Sequence, residues 1–348
     1  MKYVDIDKRL QLQMLDQVRS STGLDQQTIE KDWWVTQVLR ALFSLPYAEY
    51  LSFKGGTSLS KCWKMIERFS EDIDIGIDRK FLGFEGELSK TQISDRLRRV
   101  TCSFVREKMQ HDVREQMIIN GIRTDLFEVE VNITPVTTTD PEVIMINYQS
   151  VLPLSAYIIH TVKIEISGRS MHEPVEMHEI NSMIDEVFPQ SPFAEAEFGV
   201  QAVLPHRTFL EKIFLLHEEF SKSQGEIRTE RMSRHMYDIE RMMHTTVAEE
   251  ALLDESLYHS VVEHRRKFIG LRGFNYDTLY PATLNLLPPN KEVERQWRED
   301  YKHMQDTMIY GESVSFDMLL NSLKRLNAKI RELRSYIIYR INSEQNYR

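Results

Sequence analysis

Asp72 and Asp74 stand two residues apart in the run SEDIDIGID, and a glycine pair, Gly55-Gly56, comes shortly before them. Residues i and i+2 of a strand project from one face. The two carboxylates therefore share a side, in phase with Asp78, while Ile73, Ile75 and Ile77 take the other. Like charges this close are costly unless a cation sits between them or one is protonated. A hard ion such as Mg²⁺, held by one or two carboxylates plus phosphate oxygens, relieves the repulsion. Two such ions can hold the attacking and the leaving oxygen of a phosphoryl transfer.

The glycines supply the other half of that chemistry. LSFKGG (51–56) is a short strand running into a turn, and TSLSKCWKMIERF after it is expected to be a helix. Glycine lets backbone N–H groups approach an anion closely, and a helix start adds partial positive charge. Thr57 and Ser58 can cap that helix or touch phosphate. Strand, diglycine, helix and DxD together place a phosphate cradle beside a metal site, which is far more specific than either half.

Other elements must position these groups. DQQTIEKDWWVTQVLRALFSL (25–45) has the spacing of an amphipathic helix capped by Asp25, with Trp33 and Trp34 in the core. Residues 91–119 look helical and charged. FEVEVNIT (127–134) and TVKIEIS (161–167) alternate as strands. The first sets Phe127, Val129, Val131 and Ile133 against Glu128, Glu130 and Asn132. The second sets Val162, Ile164 and Ile166 against Lys163 and Glu165. By alternation alone, Glu128, Glu130 and Glu165 are equivalent candidates for a further carboxylate. Beyond about residue 205 the pattern turns helical, over 207–222, 230–245, 248–267, 291–310 and 313–342. Lys212 lies on a helix with an apolar stripe of Phe209, Ile213, Leu216 and Phe220, from which a lysine can reach a triphosphate or snorkel to solvent. Arg234 and Asp238 are four apart and share a helix face. His235 is expected to be a polar surface residue.

These elements make an α+β fold: a mixed β-sheet core with flanking helices (1–204), then a mainly helical region (205–348). The 348 residues are 41% hydrophobic and 28% charged, as in folded globular proteins. A formal charge of −9 argues against a general nucleic-acid coat protein. Cys62 and Cys102 form no CxxC, which disfavours a disulfide framework or structural zinc. No run approaches the ~18 apolar residues of a bilayer span, and the expected location is the cytoplasm with no membrane partner.

KGGTSLSK…RFSEDIDI resembles the first motif of the DNA polymerase beta-like nucleotidyltransferases and, more narrowly, the AbiEii/AbiGii toxin family with its MenT-type relatives. IEKDWWVTQVLRALF is also similar to that family, and the likeness runs over roughly residues 25–245. The resemblance implies a nucleotidyltransferase sheet. Its metal ligands would be Asp72, Asp74 and Glu165, the last matching the second motif, with a two-ion Mg²⁺ site. Nucleotide contacts would come from Gly55, Gly56, Thr57, Ser58, Ser70, Lys212 and Arg234, with Lys212 and Asp238 completing the catalytic set. The implied reaction moves a nucleoside monophosphate from an NTP to an acceptor hydroxyl. MenT-type relatives modify the tRNA 3′ end, and AbiE members are toxin–antitoxin or phage-defence effectors with a separate antitoxin protein. Transfer to a small molecule or protein, and nucleotide binding without turnover, are the alternatives. For an RNA acceptor the basic runs are Arg96, Arg98 and Arg99; Arg228, Arg231 and Arg234; and Arg265, Arg266, Lys267 and Arg272, all interleaved with acids.

Overall fold

The two motif strands are sheet neighbours. In the computed structural model, residues 1–131, 141–153, 159–172 and 174–345 are described, with side chains to 332. The described strands are β1 (Leu51–Lys54), β2 (Asp72–Ile77), β3 (Phe127–Val131), β4 (Glu142–Tyr148), β5 (Thr161–Ser167), β6 (Val175–Ile180) and β7 (Phe198–Val203). They form one sheet in the order β3-β4-β5-β2-β1-β7-β6. β2 runs parallel to β5 and β1 parallel to β7; the other pairs are antiparallel, so the sheet is mixed. Ile133 and Asn132 of the expected third strand lie outside the described residues.

The chain divides into two compact units, Met1–Lys64 with Phe69–Leu204, and Met65–Arg68 with Pro205–Arg348. The first holds the sheet and the helices α1 (Lys8–Thr22), α2 (Gln26–Leu42) and α3 (Gly55–Lys61). Its later helices are α4 (Arg98–Phe104), α5 (Gln110–Ile119) and α6 (Met183–Val187), with π-helical turns at Gln92–Leu97 and Val105–Met109 joining the expected 91–119 stretch. Asp25 caps α2 by accepting from the Thr28 N–H at 2.9 Å. Trp33 and Trp34 are fully buried, and Trp34 stacks on Tyr148 with centroids 4.9 Å apart.

α2 also buries Glu30, Lys31 and Asp32, which hydrophobic periodicity does not announce. Lys31 Nζ meets Glu71 Oε2 at 2.6 Å, and Asp32 Oδ1 accepts from Lys61 Nζ at 2.6 Å while its Oδ2 accepts from the Met183 N–H at 2.9 Å. Burial is the main cause lowering the Lys31 pKa, opposed by Glu71.

The expected helix over residues 57–69 is shorter. α3 stops at Lys61, Lys64 takes a left-handed φ of 51°, and Met65–Arg68 belongs to the helical unit. Tertiary contacts of those four residues override local helix preference. In the helical unit are α7 (Pro205–Phe220), α8 (Ser233–Met242), α9 (Thr246–Leu253), α10 (Glu255–His264), α11 (Lys291–Thr307) and α12 (Phe316–Gln345). The expected 248–267 helix is two helices, because Asp254 ends α9 and its side chain caps α10 at the Leu257 N–H. Trp297 of α11 is buried against Phe220 and donates Nε1–H to the Arg228 carbonyl at 3.1 Å. No helix among the described residues is long and apolar enough to cross a membrane.

Replacing Asp32 by alanine strands the Lys61 ammonium in a buried site and removes the acceptor for Met183. Urea unfolding of Asp32→Ala should show a loss of about 3–5 kcal/mol. Adding Lys61→Met should recover part of it, and equal stability of Asp32→Ala and wild type would contradict the pairing.

Candidate active site

The register of β2 arranges the acidic face. Asp74 lies opposite Glu165 of β5 and Lys54 of β1, while Asp72 lies opposite Lys163. Directly opposed residues share a face, so Asp72, Asp74 and Glu165 occupy one side. Ile73, Ile75, Ile164 and Ile166 are fully buried on the other. Glu128 and Glu130 share the acidic face but sit on β3, three strand spacings from β2. At ~4.8 Å per spacing that is about 14 Å, too far to share an ion with Asp74. Lys54 and Lys163 set one lysine opposite each aspartate in the register. The direct Asp74–Glu165 pairing remains a like-charge juxtaposition, which a sheet tolerates at a cost.

Gly55 is held against this face. Its φ is +77°, and a Cβ built there would lie 1.9 Å from Asp74 Oδ2. Only glycine admits both the conformation and the approach. Thr57 is buried and donates its hydroxyl to the Asp72 carbonyl at 2.5 Å, tying the first turn of α3 to the acidic strand. The first-turn amides of a helix have no intrahelical acceptor, and the first residue of α3, Gly55, lies against the Asp74 carboxylate. Ser58 is buried and hydrogen-bonds the Cys62 side chain; Ser70 is half-buried just ahead of β2.

Asp72, Asp74 and Glu165 are hard oxygen donors, the chemistry that Mg²⁺ selects. Among the described residues, no three His, Cys, Asp or Glu side chains form a ready cage for a metal. The fit is to an ion completed by phosphate oxygens and water, as Mg²⁺ is in nucleotide enzymes, rather than to a closed protein site.

The helical unit carries the remaining expected residues. Lys212 is buried rather than snorkelling, with Nζ 2.7 Å from Asp238 Oδ2. Asp238 is fully buried, and Arg68 clasps it with Nε on Oδ1 and Nη2 on Oδ2, both at 2.7 Å. Arg234 and Asp238 do not form the bland surface pair their spacing suggests, because Asp238 is spent on Arg68 and Lys212 in the interior. Burial alone would raise the Asp238 pKa, but Arg68 and Lys212 outweigh it and hold the carboxyl well below the usual range. Burial lowers the Lys212 pKa, Asp238 opposes, and Arg68 and Arg234 add to the lowering. Arg68 opens the RFSEDIDI run that carries the family resemblance, but its pairing with Asp238 has no local signal, since the partner is 170 positions away.

His235 corrects a surface expectation. It sits one turn before Asp238 on α8, and its Nδ1 is buried with no hydrogen-bond partner among the described residues. Burial first, then the Lys212 and Arg234 cations with Arg68, hold its pKa well below the ordinary imidazole range, against Asp238. The folded protein therefore refuses a proton that the unfolded chain accepts near pH ~6.5. This contribution to stability is complete above that pH and is lost as pH falls toward the folded pKa. Between pH 7.5 and 5.5, wild type should lose about 1 kcal/mol more than His235→Gln in urea unfolding. Equal losses would show that His235 titrates normally.

A family model described as "Nucleotidyl transferase AbiEii toxin, Type IV TA system" matches residues 37–322. Among solved structures, the fold is similar to MenT4, a nucleotidyltransferase toxin from Mycobacterium tuberculosis H37Rv. The identity is 15% and the TM-score 0.43, covering 94% of this chain and 99% of that one. No curated protein matches the sequence. The family match spans most of the chain, including the diglycine turn, the acidic strand, Glu165, Lys212 and Asp238: the chain belongs to the AbiEii nucleotidyltransferase toxin family and is a nucleotidyltransferase.

Proposed function

We propose that this toxin transfers a nucleoside monophosphate from an NTP to an RNA 3′ end, with tRNA as the acceptor, using Mg²⁺ bound at Asp72, Asp74 and Glu165. The observation that carries the reading is the packing of Gly55 against Asp74 with Glu165 directly across the strand pair. It supports a reading in which the start of α3 meets phosphate beside the acidic face of β2 and β5. When bound, Mg²⁺ supplies positive charge to the phosphate oxygens. The acceptor oxygen forms a bond to the α-phosphorus, the bond from that phosphorus to pyrophosphate breaks, and Glu165 takes the hydroxyl proton. The amides of Gly55, Gly56 and Thr57 hold phosphate oxygens, so this chemistry works by positioning and charge and needs no covalent nucleophile. Lys212 is the phosphate-binding cation of the helical unit.

The cognate antitoxin is supported by the family's place in type IV toxin–antitoxin systems; the RNA acceptor and the cytoplasmic setting rest on the resemblance of KGGTSLSK…RFSEDIDI to the MenT-type toxins. The arginine runs add less than their sequence suggests. Arg98 and Arg265 are buried, and Arg99, Arg228, Arg265 and Arg266 are paired with Asp95, Glu219, Glu218 and Glu263.

Incubating the protein with each α-labelled NTP, Mg²⁺ and total tRNA should move label to RNA, and EDTA or Asp74→Ala should abolish it. Label on protein or a small molecule instead would replace the acceptor, and no transfer to anything would sink the reaction. Gly55→Ala should reduce transfer by about 10²-fold, since its Cβ must displace the Asp74 carboxylate by the better part of a bond length or more. Transfer by Gly55→Ala at the wild-type rate would remove the glycine–aspartate contact from the argument.

A further inference from the structure

Arg68 is absent from the expected site, yet it is the most heavily committed residue around Asp238. Its guanidinium takes both carboxylate oxygens at 2.7 Å, and both side chains are buried. The backbone beside it is fixed as well: the Glu67 carbonyl accepts from the Tyr310 N–H at 3.0 Å and the Gly311 N–H at 3.3 Å, and Arg68 bridges to Ile309. Glu67 also pairs with Arg241 at 2.9 Å. The guanidinium is thus held at both ends.

Lys212 is placed differently. An ammonium has three donors; Lys212 gives one to Asp238, and the other two have no partner among the described residues. Within the trio, two cations share one carboxylate, which leaves one positive charge in excess. A buried ammonium with unspent donors and surplus charge suits a phosphate oxygen. A lone lysine on a flexible stem would let the carboxylate turn, whereas a two-point guanidinium clasp fixes its plane.

We propose that Arg68 is a positioning residue for anion binding. It fixes the Asp238 carboxylate, and that carboxylate aims the Lys212 ammonium at a pyrophosphate-type anion. This deepens the reading of Lys212 as a phosphate-binding group and rests on it.

Calorimetric titration of the full chain with inorganic pyrophosphate tests it, in EDTA so that the β2 carboxylates add no ion-mediated affinity. Arg68→Lys keeps the charge and loses the clasp, and should bind about tenfold more weakly. Lys212→Ala should lose at least as much, and Arg68→Lys/Lys212→Ala should be no weaker than Lys212→Ala, because Arg68 acts through Lys212. Guanidinium ion added to Arg68→Ala should restore binding. Wild-type affinity in Arg68→Lys, additive losses in the double variant, no rescue of a folded Arg68→Ala protein, or no pyrophosphate binding by wild type would each overturn the assignment. If pyrophosphate binds as expected while no nucleotide is transferred, the reaction proposed above fails and the role of Arg68 stands.

Discussion

The position of β2 between β1 and β5 is the constraint on which the acidic face depends. A central strand with an isoleucine face buried to the last atom cannot slip by one residue, because the slip would send every isoleucine outward and every aspartate into the core. Burial of Ile73, Ile75 and Ile77 therefore fixes where Asp72 and Asp74 point, and pairing with β5 brings Glu165 to Asp74. Hydrophobic burial does the positioning, and the like-charge contact is the burden it carries.

Buried ion pairs recur in both units. Asp32 with Lys61, Lys31 with Glu71, Glu218 with Arg265, and Asp238 with Arg68 and Lys212 are all paired at short range. Desolvation makes such groups poor sources of net stability, but it makes loss of either partner expensive. Their geometry is consequently stiff. Asp238 differs from the rest because it serves two cations, and Lys212 differs because it has one acceptor among the described residues where Lys31 and Lys61 each have two.

Much of the α/β unit was legible because its signals are local. Alternation at 72–77 and 161–167 and the Asp25 cap all correspond to elements in place, and Trp33-Trp34 is core. What escaped was written in distant contacts. The helix after Gly56 breaks off at Lys61 because the following residues pack elsewhere. β4, β6 and β7 went unmarked: VEMHEI of β6 is half polar and lies on an edge, and FGVQAV of β7 is interrupted by Gly199 and Gln201. Alternation could not choose among Glu128, Glu130 and Glu165, since all lie on one face; strand order separates them. His235 looked like a solvated residue because nothing in RMSRHMYD shows that Lys212 and Arg68 crowd it.

Met65–Arg68 gives the chain an unusual modular grammar. A cut at the Leu204–Pro205 peptide looks natural in one dimension, yet it leaves the downstream fragment without the guanidinium that answers Asp238. Recombination between homologues at that junction would mate one ancestor's tetrapeptide with another's α8. Such a product keeps the clasp only where the first parent carries arginine at 68 and the second aspartate at 238, so four upstream residues belong to the design of the C-terminal helices.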